Sequence, residues 1–233
     1  LGCLRMSTTP RQPEKLDEPS LPYEEAERSL RDLGRLNRLL LGAMPLKRTL
    51  LPYLGRWTEP RRVLDLGTGT GAVAEDLARS AARRGAPLKV VGLDLQLRHL
   101  VIGRKSGSAQ QRVVADATAL PFRDGAFEWS FSTLFFHHFE AESNLRVLAE
   151  MRRVSRAGAA VVDLRPSRFA PSLLLVIQKL LGASAVTLHD GRVSFEQSWS
   201  LANLTRLTAG LPVRELRRRF PFRWSLVVDG VER

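Results

Sequence analysis

Val63-Leu64-Asp65-Leu66-Gly67-Thr68-Gly69-Thr70-Gly71 is the stretch of this 233-residue chain on which the fold turns. An apolar strand runs into a turn with glycine at every second position, and an alanine-rich helical segment (72–84) follows. Glycine lets a backbone take conformations closed to other residues and lets a ligand lie against it with no Cβ in the way. The helix that opens behind the turn offers free N–H donors to a carboxylate or phosphate. Gly67-x-Gly69-x-x-Ala72 also fits the dinucleotide fingerprint, which makes NAD(P) a competitor. Asp65 argues against it. A carboxylate two residues before the first glycine is badly placed near a pyrophosphate and well placed for a cationic amino group.

Working outward, strand and helix alternate. Strands are expected at 62–66, 88–93, 111–115, 126–132 and 159–164, with helices at 72–84, 96–103, 140–154 and 169–181 between or after them. Such repeats imply a parallel sheet covered on both sides. After a helix at 201–209, two further strands (213–219 and 222–228) are separated only by Phe220 and Pro221. So short a link holds no crossover helix, so this pair is antiparallel. The expected fold is α/β, Rossmann-like, with a seven-stranded, mostly parallel sheet, an antiparallel C-terminal hairpin and helices on both faces. Upstream, residues 1–20 read as a mobile arm, with Pro10, Pro13 and Pro19 among polar residues, and residues 21–58 as a helical cap. Residues 59–233 are expected to form the main domain, whose segment 165–200 carries the apolar stretch 169–181, a helix expected either to cover the sheet or to lie over a ligand at the glycine loop.

Composition bounds the partners. Cys3 is the only cysteine and the four histidines lack zinc spacing, so neither a disulfide nor a metal site is expected. The longest apolar run, 173–177, is too short to span a bilayer, and no charged-then-apolar leader precedes the first helix. A cytoplasmic protein is therefore expected. The net charge of +12 raises the question of nucleic acid, but the arginines are spread along the chain. Their densest cluster is Arg214, Arg217, Arg218, Arg219 and Arg223. That spread argues against a nucleic-acid partner, and the oligomeric state stays open.

Asp65-x-Gly67-x-Gly69-x-Gly71 resembles the first motif of class I S-adenosylmethionine-dependent methyltransferases, and later stations match in order. Val91-Gly92-Leu93-Asp94 ends the second strand in an acid, as that family does to hold two ribose hydroxyls. One carboxylate can accept both protons. Ala115-Asp116-Ala117 resembles the motif whose acid accepts from the adenine amino group. Leu134-Phe135-Phe136-His137-His138-Phe139 resembles the loop after the fourth strand, and Val161-Val162-Asp163 the fifth strand. The chain departs from the family at Glu128, where aspartate is common, and at Ala157-Gly158-Ala159, where a glycine pair is common. The resemblance implies S-adenosylmethionine as cofactor, held by Asp65, Gly67, Thr68, Gly69, Gly71, Asp94, Leu95, Asp116, Ala117 and Thr133.

A fainter resemblance concerns Pro13-Glu14-Lys15-Leu16-Asp17, Leu36-Asn37-Arg38-Leu39, Asp163-Leu164-Arg165 and Pro221-Phe222-Arg223-Trp224. It points to small bacterial methyltransferases encoded beside type III polyketide synthases and, more distantly, to the ubiquinone and menaquinone C-methyltransferases. That resemblance implies a phenolic or quinol acceptor, O-methylation and a place in secondary metabolism. An acceptor of this kind must lose a proton, and imidazole suits that task near neutral pH. His137 and His138 are the candidate catalytic residues. An RNA methyltransferase and a non-catalytic protein that binds the cofactor are the competing readings.

Overall fold

The computed structural model describes residues 11–40, 42–105 and 111–231. Its centre is a seven-stranded sheet in the order β3-β2-β1-β4-β5-β7-β6. The strands are β1 (Arg61–Leu66), β2 (Leu88–Asp94), β3 (Gln111–Val114), β4 (Phe127–Thr133), β5 (Ser155–Leu164), β6 (Val213–Arg219) and β7 (Arg223–Asp229). The first five run parallel, while β7 lies antiparallel to both β5 and β6. Leu66 pairs with Leu93 on one side and Ser132 on the other, so β1, β2 and β4 release their loops at one edge. Strand order reverses at β1, the position where open parallel sheets bind ligands.

Alternation along each strand divides the core in two. Leu64, Leu66, Phe127, Val161 and Leu226 point to the face covered by α5 (Ala141–Val154) and α8 (Leu201–Leu207). Val63, Phe131, Ala160, Val162 and Val227 point to the opposite face, covered by α2 (Met44–Leu50) and α3 (Ala72–Ala82). Apolar residues on both faces are what a parallel sheet between helices requires.

A third body of structure sits over the loop edge. It joins α1 (Tyr23–Leu39), α4 (Leu97–Lys105), the 3-10 turn Lys15–Asp17 and α7 (Ala185–Glu196), packed through Leu16, Ala26, Leu30, Ile102 and Val186. Polar contacts tie it together. Asp32 accepts from the Ser184 N–H at 2.8 Å and from Thr187 Oγ1 at 3.3 Å. Asp190 accepts from the N–H groups of Lys15 (2.8 Å) and Leu16 (3.0 Å).

Two expectations need correction. Within the stretch read as a mobile arm, Glu14 and Leu16 are buried and the backbone is fastened by Asp190. Residues 1–10 of that arm, with Cys3, lie outside the described residues. The apolar helix α6 (Ala170–Leu180) adds no residue to either core face of the sheet or to the space at the glycine loop, and its Ala170 and Leu174 cluster with Leu164 at the end of β5. It packs on α7, buries only Ala170 and Gln178, and exposes Phe169, Leu173, Val176 and Leu180. The sequence also gave no sign of α7, because its buried side includes Thr187 and Asp190, which interrupt the apolar period.

Candidate active site

A cavity of about 420 Å3 opens at the loop edge, between the ends of β1, β2 and β4 and the overlying α1 and Lys15–Asp17 turn. Gly67, Thr68, Gly69, Asp94, Leu95, Asp116, Ala117 and Thr133 all line it. Eight of the ten residues assigned to the cofactor by resemblance thus meet around one space. Asp65 and Gly71 are not among the lining residues. Gly71 caps α3 with φ +84, a left-handed conformation that favours glycine. Gly67 has φ +66, and a Cβ there would stand 2.4 Å from Phe135 Cδ2, so an aromatic ring already fills the side that a methyl group would need.

The carboxylates differ in setting. Asp65 lies buried beneath the loop and accepts from Thr68 Oγ1 at 2.6 Å. Burial pushes its carboxyl up to about 7, with the Thr68 bond opposing and the nearby Asp94 charge adding. Asp94 Oδ2 accepts from the Gly69 N–H at 3.0 Å, and Oδ1 from the Gln96 N–H at 2.9 Å. His99 Nδ1 stands 3.4 Å from the same Oδ1. Asp116 accepts from Thr118 N–H and Oγ1, both at 2.8 Å, in a tight turn beside the cavity.

At the end of β4, the two histidines separate. His137 is 2% exposed and does not line the cavity. Its Nδ1 is 2.8 Å from Asp163 Oδ1 and its Nε2 is 3.2 Å from Glu14 Oε1. Asp163 also accepts the N–H groups of Phe135 (3.1 Å) and His137 (3.0 Å), so the end of β5 holds the loop in place. Burial disfavours the His137 cation, but the charges and hydrogen bonds of Asp163 and Glu14 outweigh it and raise its pKa. Glu14 shifts the other way: burial pushes it up, yet its bonds to His137 and Ser194 and the charges of both histidines hold it low. His138 does line the cavity, with Nδ1 3.1 Å from Asp17 Oδ2 and Nε2 3.9 Å from Glu14 Oε2.

Sequence reasoning singled out both histidines and missed their acids. Glu14 and Asp17 stand in a stretch read as an arm, and Asp163 in a strand end; both stretches carry a family resemblance but no assigned role. The signal was present: two acids three residues apart beside Leu16, in a stretch otherwise read as mobile. Three of the five clustered arginines have acidic partners. Arg214 pairs with Asp229, Arg219 with Glu215 and Ser225, and Arg217 with Glu215 at 3.5 Å.

Residues 64–162 match the methyltransferase domain family. The chain is 37% identical to a demethylmenaquinone methyltransferase of Thermotoga maritima over 54% of each chain. It is equally similar, 37%, to the enzyme of that name from Thermus thermophilus, over 55% of this chain and 58% of that one. The chain thus spans little more than half the length of these relatives. Among solved structures, one of a putative S-adenosylmethionine-dependent methyltransferase from Methanococcus maripaludis superposes with TM-score 0.63 at 14% identity, covering 93% of this chain and 97% of that. Another from Aquifex aeolicus gives 0.59 at 19% identity, covering 88% and 98%. These two show the fold.

Proposed function

We propose that this chain, a class I S-adenosylmethionine-dependent methyltransferase by its matched domain, its sheet and its glycine loop, methylates a small aromatic hydroxyl compound of the phenol or quinol type. One observation carries the reading. The cofactor-type residues Gly67, Gly69, Asp94 and Asp116 share a single cavity with an imidazole that is backed by a carboxylate, His138 beside Asp17.

The cofactor supplies an electrophilic methyl group on a sulfonium. The chain's own part is to hold the acceptor in line and keep water out, since positioning accounts for much of such a reaction. Asp94 at the end of β2 suits the ribose hydroxyls, and Asp116 suits the adenine amino group. An unperturbed phenol titrates near pH 10, so at neutral pH it must shed its proton as attack proceeds. His138 is the imidazole that faces the cavity and serves as the base. His137, enclosed between two acids, is a positioning residue. The names of the curated relatives support a quinol-type acceptor, and the paired arginines of β6 give no support to RNA.

Incubation of the protein with methyl-labelled cofactor and a panel of alkylresorcinols, quinols and RNA tests this. Label is expected on the oxygen of a resorcinol or quinol. Label on a ring carbon would correct the acceptor atom, and label in RNA alone would overturn the acceptor class.

A further inference from the structure

Glu14, His137 and His138 each offer one ligand-type atom, and these atoms all lie within 4.8 Å of one another. We propose that this trio binds a divalent transition-metal ion of the zinc type at the wall of the cavity. The site rests on this geometry alone; only its bearing on the acceptor rests on the methyltransferase reading.

The spacing suits an ion. Two ligands of a tetrahedral zinc, each about 2.0–2.2 Å from it, stand about 3.3–3.5 Å apart. Glu14 Oε1 is 3.2 Å from His137 Nε2, and Glu14 Oε2 is 3.9 Å from His138 Nε2. Two imidazoles and one carboxylate with positions left open is also a ligand set that catalytic zinc uses.

The outer partners point the same way. A metal-bound histidine commonly donates its other ring N–H to a carboxylate, which fixes the tautomer and leaves the first nitrogen's lone pair for the ion. Both histidines have that arrangement: His137 Nδ1 is 2.8 Å from Asp163, and His138 Nδ1 is 3.1 Å from Asp17. Ser194 Oγ holds Glu14 from the other side. Three carboxylates surround two imidazoles, and a divalent ion supplies the same two positive charges as two ring protons, so it can replace them without raising the charge of the site. Arg11 and Arg223 act on Asp163 electrostatically but make no hydrogen bond to the trio. Imidazole donors favour zinc, iron, copper or nickel over magnesium.

Glu14 and His138 line the cavity, so the ion's remaining positions face the space where an acceptor would lie. With the ion bound, His138 is a ligand in place of the base proposed above, and an acceptor hydroxyl that ligates the ion gives up its proton to water more readily. The site thereby favours acceptors that present a hydroxyl next to the methylated position.

The test uses tag-free full-length protein, dialysed against EDTA and titrated with Zn2+ by calorimetry, with Co2+ absorption as a second probe. One Zn2+ per chain is expected, with Co2+ giving a tetrahedral or five-coordinate spectrum. Glu14→Gln and His138→Ala should each weaken Zn2+ at least 100-fold, while His189→Ala, which alters a histidine outside the trio, should bind as wild type. S-adenosylhomocysteine binding by the same samples reports separately on folding and on the methyltransferase reading. Wild-type protein that binds S-adenosylhomocysteine but takes up neither ion overturns the site, as does undiminished Zn2+ affinity in both folded variants. Zn2+ uptake without S-adenosylhomocysteine binding would keep the site and remove the methyltransferase reading.

Discussion

His137 and His138 are neighbours in sequence, yet their surroundings assign them opposite work. His137→Ala leaves Glu14 and Asp163 as facing buried carboxylates with no partner between them. Removing one member of a buried charged set costs about 3–5 kcal/mol, so denaturant unfolding should show a loss of that order. His138→Ala opens no such gap, because that ring borders the cavity. Turnover should fall at least about a hundredfold while the melting temperature stays near wild type, as expected for loss of a proton acceptor or ligand at the acceptor. Equal stability of the two variants would contradict this division. The residues of the glycine loop were legible because each has a local reason to be there. Glu14 was not, because its partner His137 lies 123 residues away and only the folded chain joins them.

At the scale of elements, the strands and the helices packed on the sheet were legible from their periods; β1 begins one residue before the expected 62, and β5 begins four before the expected 159, at Ser155. The segments over the loop edge were less so. The helix α6 reads as a core element by composition, yet it exposes Phe169, Leu173, Val176 and Leu180. Its companion α7 is held by polar bonds that no hydrophobic pattern records. Asp32 on α1 is the chief of these, since it receives the Ser184 N–H at the start of α7 and the Thr187 hydroxyl. Asp32→Ala leaves the Ser184 N–H buried and unsatisfied, at a cost of about 1–3 kcal/mol, while the Thr187 hydroxyl keeps the Ser29 and Ser184 hydroxyls at 3.0 and 2.9 Å. Hydrogen exchange should then show faster opening of residues 184–196, with the sheet unchanged. Unchanged protection there would mean that Leu30, Ile102 and Val186 suffice to hold α7 in place.

For the whole molecule, Asp65, buried beneath the glycine loop, couples stability to pH. Its folded pKa is raised to about 7 from the 3.8 of an ordinary aspartate, because burial disfavours the charged form. Between those values the folded state holds a proton that the unfolded state has released. Stability from this group is therefore full below about pH 4 and is lost as pH rises through 7. Asp65→Asn should flatten that part of the stability–pH curve in the ligand-free protein. A cationic ligand near Asp65 should do the same by favouring the carboxylate, with a proton released on binding. A curve identical in wild type and Asp65→Asn would place the pH dependence elsewhere. No helix among the described residues is long and apolar enough to cross a membrane.

The central claim is that the cavity at the strand ends is built for S-adenosylmethionine. Calorimetry with S-adenosylhomocysteine, S-adenosylmethionine and NADH, on wild type and Asp94→Ala, tests it most directly. Both adenosyl compounds should bind one per chain, NADH should not, and Asp94→Ala should lose about 1.5–3 kcal/mol of affinity with the bonds to two ribose hydroxyls. Binding of NADH with no response to either adenosyl compound, or wild-type affinity in Asp94→Ala, would contradict it.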